Sequence, residues 1–205
     1  MHDSVGLRER KKAETRRSIG DAALALAIER GPGNVTVDDI AAAAGISART
    51  VFNYFATKEE AILGVDPERR RLLLDRLRGR PGTESPLEAL REAMRESTDG
   101  SGAIIWRTRA RLARQNPQLH SAYLAAFASL EDDLTEVLAE RVGVNPAADP
   151  FPRLAVTVAL TAMRVSIDHA MAQGLTARDD FAGSVDAAFD AVAAGLRPVT
   201  PSRSG

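Results

Sequence analysis

An all-helical fold is what this sequence predicts, and three observations carry the prediction. Apolar residues recur at three- and four-residue intervals, no strand-length stretch alternates β-branched with polar residues, and alanine, leucine and arginine dominate. The 205 residues, 44% hydrophobic and 27% charged, suffice for one or two domains with a real core, and they exclude a disordered or collagen-like chain.

Each element has its own signal. Ile19, Ala22, Ala23, Leu26 and Ala27 form one apolar stripe on a first helix over roughly residues 7–30, which Gly31-Pro32-Gly33 terminates. Thr36 to Asp39 is a capping box with aspartate in the place of the usual glutamate; Val37, Ile40, Ala41 and Ala44 then line one face of a second helix that ends at Gly45. Gly45-Ile46-Ser47 makes a three-residue turn, Ser47 is a good N-cap, and Val51 with Phe55 supply the buried pair of a short third helix. Thr57 to Glu60 reads as a full capping box opening a fourth helix, which Pro67, after Asp66, is expected to break or kink. Beyond the linker-like stretch 80–86, helices are expected at roughly 86–98, 102–115, 117–142, 151–173 and 179–196, about nine in all, with a flexible tail at 199–205.

Composition narrows the chemistry. Without cysteine there are no disulfides, thiolate metal sites or cysteine nucleophiles, and His2, His120 and His169 are too few for a metal cage, so neither metal nor cofactor is expected. Glu131-Asp132-Asp133 reads as a hydrated helix face. No H-E-x-x-H, G-x-S-x-G or P-loop pattern is present, so no enzyme is expected. The longest apolar run, Leu154 to Met163, is about half of a bilayer span and is closed by Arg164 and Asp168, while residues 1–12 are polar where a signal peptide would be apolar. A cytoplasmic protein without membrane contact is the expectation.

The net charge of −1 hides an uneven distribution. Residues 1–20 carry a net +3, residues 69–114 carry twelve arginines against six acids, and residues 131–190 carry a net −7. The second helix, the glycine turn and the third helix have the punctuation of a helix-turn-helix, with Val51 and Phe55 facing inward and Arg49, Thr50, Asn53 and Tyr54 left for solvent or a duplex. A guanidinium at Arg49 suits the guanine O6/N7 edge, and Asn53 suits adenine. Arg10, Lys11, Lys12, Arg16 and Arg17 form a basic arm suited to flanking phosphates.

Residues 36–60, TVDDIAAAAGISARTVFNYFATKEE, resemble the DNA-binding segment of the TetR family of bacterial transcriptional regulators. The resemblance covers residues 8–64 directly. It implies that Thr36 contacts phosphate, that Ser47, Arg49, Thr50 and Asn53 meet base edges or nearby phosphates, and that Tyr54 and Lys58 contact the backbone. The family often has tyrosine where this chain has Phe52, so Phe52 in the same interface lacks a hydroxyl-to-phosphate bond. Arg16 joins these as a DNA-contacting residue of the arm. The expected organisation is a DNA-binding domain over 1–56 and a helical effector-binding and dimerisation domain over 57–198.

A helix-turn-helix of this size normally acts as a dimer on two half-sites, giving a double-stranded DNA operator and a second copy as partners. Ala155, Ala159, Ala162, Val165, Ala188, Val192 and Gly195 on the last two helices are small enough for close approach between copies. The resemblance also implies an effector pocket, with Met94, Trp106, Arg109, Tyr123, Phe127 and Met163 as its candidate lining. The whole-chain pattern is similar to actinobacterial regulators of the mycofactocin-associated type, and the arginine-rich middle favours an anionic lipid or acyl-coenzyme A as the small-molecule effector. The function expected is that of a repressor released by its effector. The rival reading is an architectural DNA-binding protein without a ligand, which would bind any duplex uniformly.

Overall fold

The computed structural model describes residues 3–97, 101–173 and 178–196. Among them are ten α-helices, one 3-10 turn (Pro32–Asn34) and no strand: α1 (Asp3–Arg30), α2 (Val37–Ala44), α3 (Ala48–Phe52), α4 (Lys58–Leu63), α5 (Pro67–Gly79), α6 (Pro86–Ser97), α7 (Ser101–Gln115), α8 (Pro117–Val142), α9 (Phe151–Ala172) and α10 (Arg178–Ala193). The tail at 199–205 lies outside the described residues.

Local capping chemistry sets the early boundaries. Thr36 Oγ1 accepts from the Asp39 amide at 3.1 Å, and Asp39 Oδ2 accepts from the Thr36 amide at 2.9 Å, so aspartate completes the capping box at α2. These bonds from the Thr36 side chain and amide hold the Asp39 carboxyl below the usual carboxylate range. A carboxylate depressed in the folded chain contributes stability above its unfolded pKa, and that contribution disappears as pH falls through the folded value. Asp39→Asn is therefore expected to flatten the acid limb of the melting-temperature profile and leave the neutral limb nearly parallel to that of the parent chain.

Two boundaries differ from expectation. Glu60 Oε2 accepts from the Ala56 amide at 2.9 Å rather than from Thr57, so the reciprocal half of the box at α4 reaches one residue further back. More consequentially, the helix that opens at Lys58 stops before Pro67 is reached. Gly64, with φ 57° and ψ 42°, is its left-handed cap, and its amide bonds back to Ala61 and Glu60. Pro67 instead occupies the first position of α5, where its missing amide costs nothing. The break that proline was expected to impose belongs to glycine, which is why there are ten helices rather than about nine.

The chain divides into two compact units, Met1–Arg71 with Ile105–Leu130, and Leu72–Ile104 with Glu131–Gly205. This division differs from an expected boundary after residue 56, because α4 packs on α1 within the first unit. In that unit α1 packs on α2 and α4, and Ile19, Ala23, Leu26, Ala27, Val35, Ile40, Val51, Phe55 and Ile62 are buried in the core. In the second, α9 packs along α10 and both touch α6. Leu90, Val156, Ile167 and Phe189 fill that core, and Arg91 ties α6 to α10 through Asp186 and Asp190, both at 2.7 Å.

Candidate nucleic-acid interface

The helix-turn-helix is built by backbone chemistry first. After α2 the chain turns at Gly45, whose φ of 68° and ψ of 32° place it in the left-handed region, and the Ile46 amide bonds to Ala41 O at 2.9 Å. A Cβ at Gly45 would meet nothing within 4 Å, so the backbone angle rather than space requires glycine. Ser47 then caps α3, its Oγ accepting from the Thr50 amide at 3.1 Å and lying 2.9 Å from Thr50 Oγ1. Val51 and Phe55 are 1% and 2% exposed, and they anchor α3 in the core of the first unit.

That anchoring leaves Arg49, Phe52 and Asn53 exposed, with Thr50 and Tyr54 half-buried. Arg49 and Asn53 are four residues apart, and so project from one side of the helix. Thr36 and Ser47 are exposed at the helix starts, but each hydroxyl already serves its cap. Arg10, Lys11, Lys12 and Arg17 are exposed along α1.

Three cations expected at DNA or in an effector pocket have structural duties within the first unit. Arg16 leaves the arm: its Nε donates to Val65 O at 2.9 Å, its Nη1 donates to Tyr54 O, and its guanidinium carbon lies 4.1 Å from the centre of the Phe55 ring. Desolvation lowers its pKa from the ordinary value. Arg16 therefore positions the end of α3, a role that its expected DNA contact does not include, because two carbonyls and an aromatic face lie within reach of its stem. Lys58 donates to Val35 O at 2.8 Å and Pro32 O at 3.4 Å, fastening the start of α4 to the loop before α2.

Arg109 is the third. Only 8% exposed, it donates from Nε to Ile62 O at 3.1 Å and lies against Gly20 and Gly64. Desolvation lowers its pKa, with Asp21 and Asp66 acting in the opposite direction. Arg109 thus satisfies the C-terminal end of α4, a duty that its expected place in the pocket lining does not include. Sequence reasoning missed this pairing, although Gly64 at a helix end was a visible sign of close approach.

The other pocket candidates are divided between the units. Met94 and Met163 are buried in the second; Tyr123 and Phe127 pack ring to ring in the first, their centres 4.6 Å apart. The side chain of Trp106 lies outside the described residues. A shallow open groove of about 680 Å³ in the first unit runs between Thr57, Lys58 and Glu59 and Gln118, Ser121 and Ala122.

Among the dimer candidates, Ala159 and Ala162 are buried within the protomer. Their small size lets α9 approach its own neighbours, so the two are removed from the surface a second copy could touch. Ala155, Ala188 and Val192 are half-buried; Val165 and Gly195 are exposed. Leu154 at 62% and Val165 at 52% exposure mark an outward line on α9 that continues through Val158 and Thr161. Its four-three-four spacing is readable in the sequence, and of its members the expected dimer surface includes Val165.

Among the described residues no group of three His, Asp or Glu could hold a metal, and no helix is long and apolar enough to cross a membrane. Glu131 and Asp132 are paired with Arg153 at 3.2 and 2.8 Å.

A capped helix, a three-residue glycine turn and a short helix with a polar outer edge define a helix-turn-helix DNA-binding head. Comparison with known proteins narrows the class. Residues 19–63 match the family model of bacterial regulatory proteins of the tetR family, and residues 84–197 match the MftR C-terminal domain. The chain is 33% identical over 161 residues to the HTH-type transcriptional regulator TcmR of Streptomyces glaucescens, covering 75% of this chain and 71% of that protein. It is 32% identical over 193 residues to a protein of Mycobacterium tuberculosis named as a mycofactocin biosynthesis transcriptional regulator, MftR, covering 91% and 93%. The fold is shared with a TetR-family regulator structure from Syntrophomonas wolfei (TM-score 0.63, 18% identity, 91% of this chain and 98% of that one) and with the fatty acid degradation regulator FadR of Bacillus halodurans (TM-score 0.59, 20% identity, 90% and 97%). The chain belongs to the TetR family of bacterial transcriptional regulators and carries an MftR-type C-terminal domain.

Proposed function

We propose that this protein is a cytoplasmic repressor that binds a palindromic operator as a dimer and leaves it when a small amphiphilic anion binds the C-terminal domain. The observation that carries the reading is the polar edge of α3, with Arg49 and Asn53 held outward by the buried Val51 and Phe55. Arg49 and Asn53 read bases; Thr36, Ser47, Thr50 and Tyr54 supply phosphate or base contacts, and Lys58, which also lies 4.0 Å from Glu59, adds a phosphate contact. The net positive charge of residues 69–114 supports an anionic effector such as an acyl-coenzyme A, even though Arg71, Arg78, Arg80, Arg91 and Arg95 each pair with a carboxylate. Met94 and Met163 suit its acyl chain. The joint from Gly64 to Pro67 is the element that effector binding bends.

A footprint on the DNA flanking the protein's own gene tests the reading. Two protected half-sites about one helical turn apart, released by micromolar acyl-coenzyme A, are expected. Equal affinity for every duplex returns the protein to an architectural role, and calorimetry without heat from any acyl-coenzyme A returns the effector to a neutral hydrophobe.

The dimer surface is assigned to the outward line of α9 with Ala188, Val192 and Gly195 of α10. Leu154→Glu with Val165→Glu puts four like charges into the isologous contact of a two-fold pair. The expected result is a monomer by sedimentation with an unchanged helical spectrum, because both side chains are exposed in the protomer.

A further inference from the structure

Phe52 is the anomaly of α3. Val51 beside it and Phe55 one turn on are buried, whereas Phe52 keeps 56% of its surface in water. Three residues after Arg49, it neighbours that side chain on the helix surface. A phenyl ring has no hydrogen-bonding group, so it contributes nothing to a phosphate contact, and leaving it wet forgoes the energy its burial would bring. The major groove offers such a ring one apolar partner among its base edges, the C5-methyl of thymine.

The geometry points to Phe52 as a specificity-determining residue that reads a thymine methyl in each half-site, next to the bases met by Arg49 and Asn53. This rests on the reading of α3 as the helix that enters the major groove. The ring is dry only when a methyl lies against it, so a half-site with cytosine at that position loses the contact and leaves the phenyl facing a polar edge. Arg49 and Asn53 discriminate by hydrogen bonds; Phe52 adds discrimination by desolvation, on a base that neither of them serves.

The test uses the full chain and a duplex that it selects itself from a random-sequence pool. Each thymine pair of the selected palindrome is then exchanged for deoxyuridine, which deletes the 5-methyl and nothing else. One symmetric pair is expected to weaken binding about four-fold per half-site, or about fifteen-fold for both, as burial of one methyl in each dictates. In Phe52→Ala the same exchange is expected to change affinity less than two-fold, with the melting temperature of the free protein unaltered. Insensitivity of the parent chain to every deoxyuridine exchange overturns the inference, as does undiminished sensitivity in Phe52→Ala. If no duplex is enriched at all, the inference falls together with the operator-binding reading; enrichment with insensitivity removes the thymine contact alone.

Discussion

Replacing Arg49 and Asn53 together by alanine is expected to remove sequence discrimination and leave the fold intact. A good base contact is worth about 1–3 kcal/mol. Two such contacts in each of two half-sites therefore sum to at least about 4 kcal/mol, roughly a thousand-fold in affinity. Both side chains are exposed, so thermal stability should move by no more than about 0.5 kcal/mol. What survives is phosphate attraction from Arg10, Lys11, Lys12 and Arg17, which weakens steeply with salt and ignores sequence. Titration of parent and double variant into a selected duplex and its scrambled counterpart, at two salt concentrations, separates the parts. A variant that still prefers the selected duplex by a hundred-fold means that the bases are read by other residues.

The largest effect on stability is expected at Gly64. A Cβ added there lies 2.2 Å from the Arg109 guanidinium, and φ is +57°, so alanine meets a side chain and a backbone penalty at once. The left-handed backbone costs about 1–2 kcal/mol. The clash displaces a guanidinium only 8% exposed, which leaves Ile62 O without its donor and the buried cation without its position, for about 1–3 kcal/mol more. A total of about 3 kcal/mol corresponds to a fall in melting temperature of roughly 10 °C for a chain of this size. Arg109→Ala separates the two causes, since in that background Gly64→Ala should cost only the backbone part. Equal costs in both backgrounds would mean that Arg109 yields without penalty and that α4 is not held from that side.

Arg16 and Arg109 act on the same short stretch. One donates to Val65 O from α1 and the other to Ile62 O from α7, on either side of the Gly64 cap. Cations at a helix C-terminus complement the partial negative charge of its unsatisfied carbonyls. The end of α4 is thus fastened to α1 and to α7 by side chains whose sequence-based expectation lies elsewhere, one at DNA and one at a ligand. Ala159 and Ala162 show the same effect: their small size serves packing inside one copy, where both are buried.

The sequence by itself determined the all-helical class, the second and third helices with their turn, the buried pair Val51 and Phe55, and the boundaries of α6 to α10 to within a few residues. Those features are encoded over three to five neighbouring positions, through a cap, a left-handed glycine or a helical repeat, and neighbours in the chain are neighbours in space whatever the rest of the fold does. Only the tertiary structure decided where the long cationic side chains go. The stems of Arg16, Lys58 and Arg109 can reach outward or inward at similar cost, and the choice depends on whether a carbonyl 23 to 49 residues away along the chain comes within hydrogen-bonding distance. It also decided that Gly64 rather than Pro67 ends α4, because the left-handed glycine cap leaves room, where a side chain would sit, for the guanidinium of Arg109, 45 residues further on.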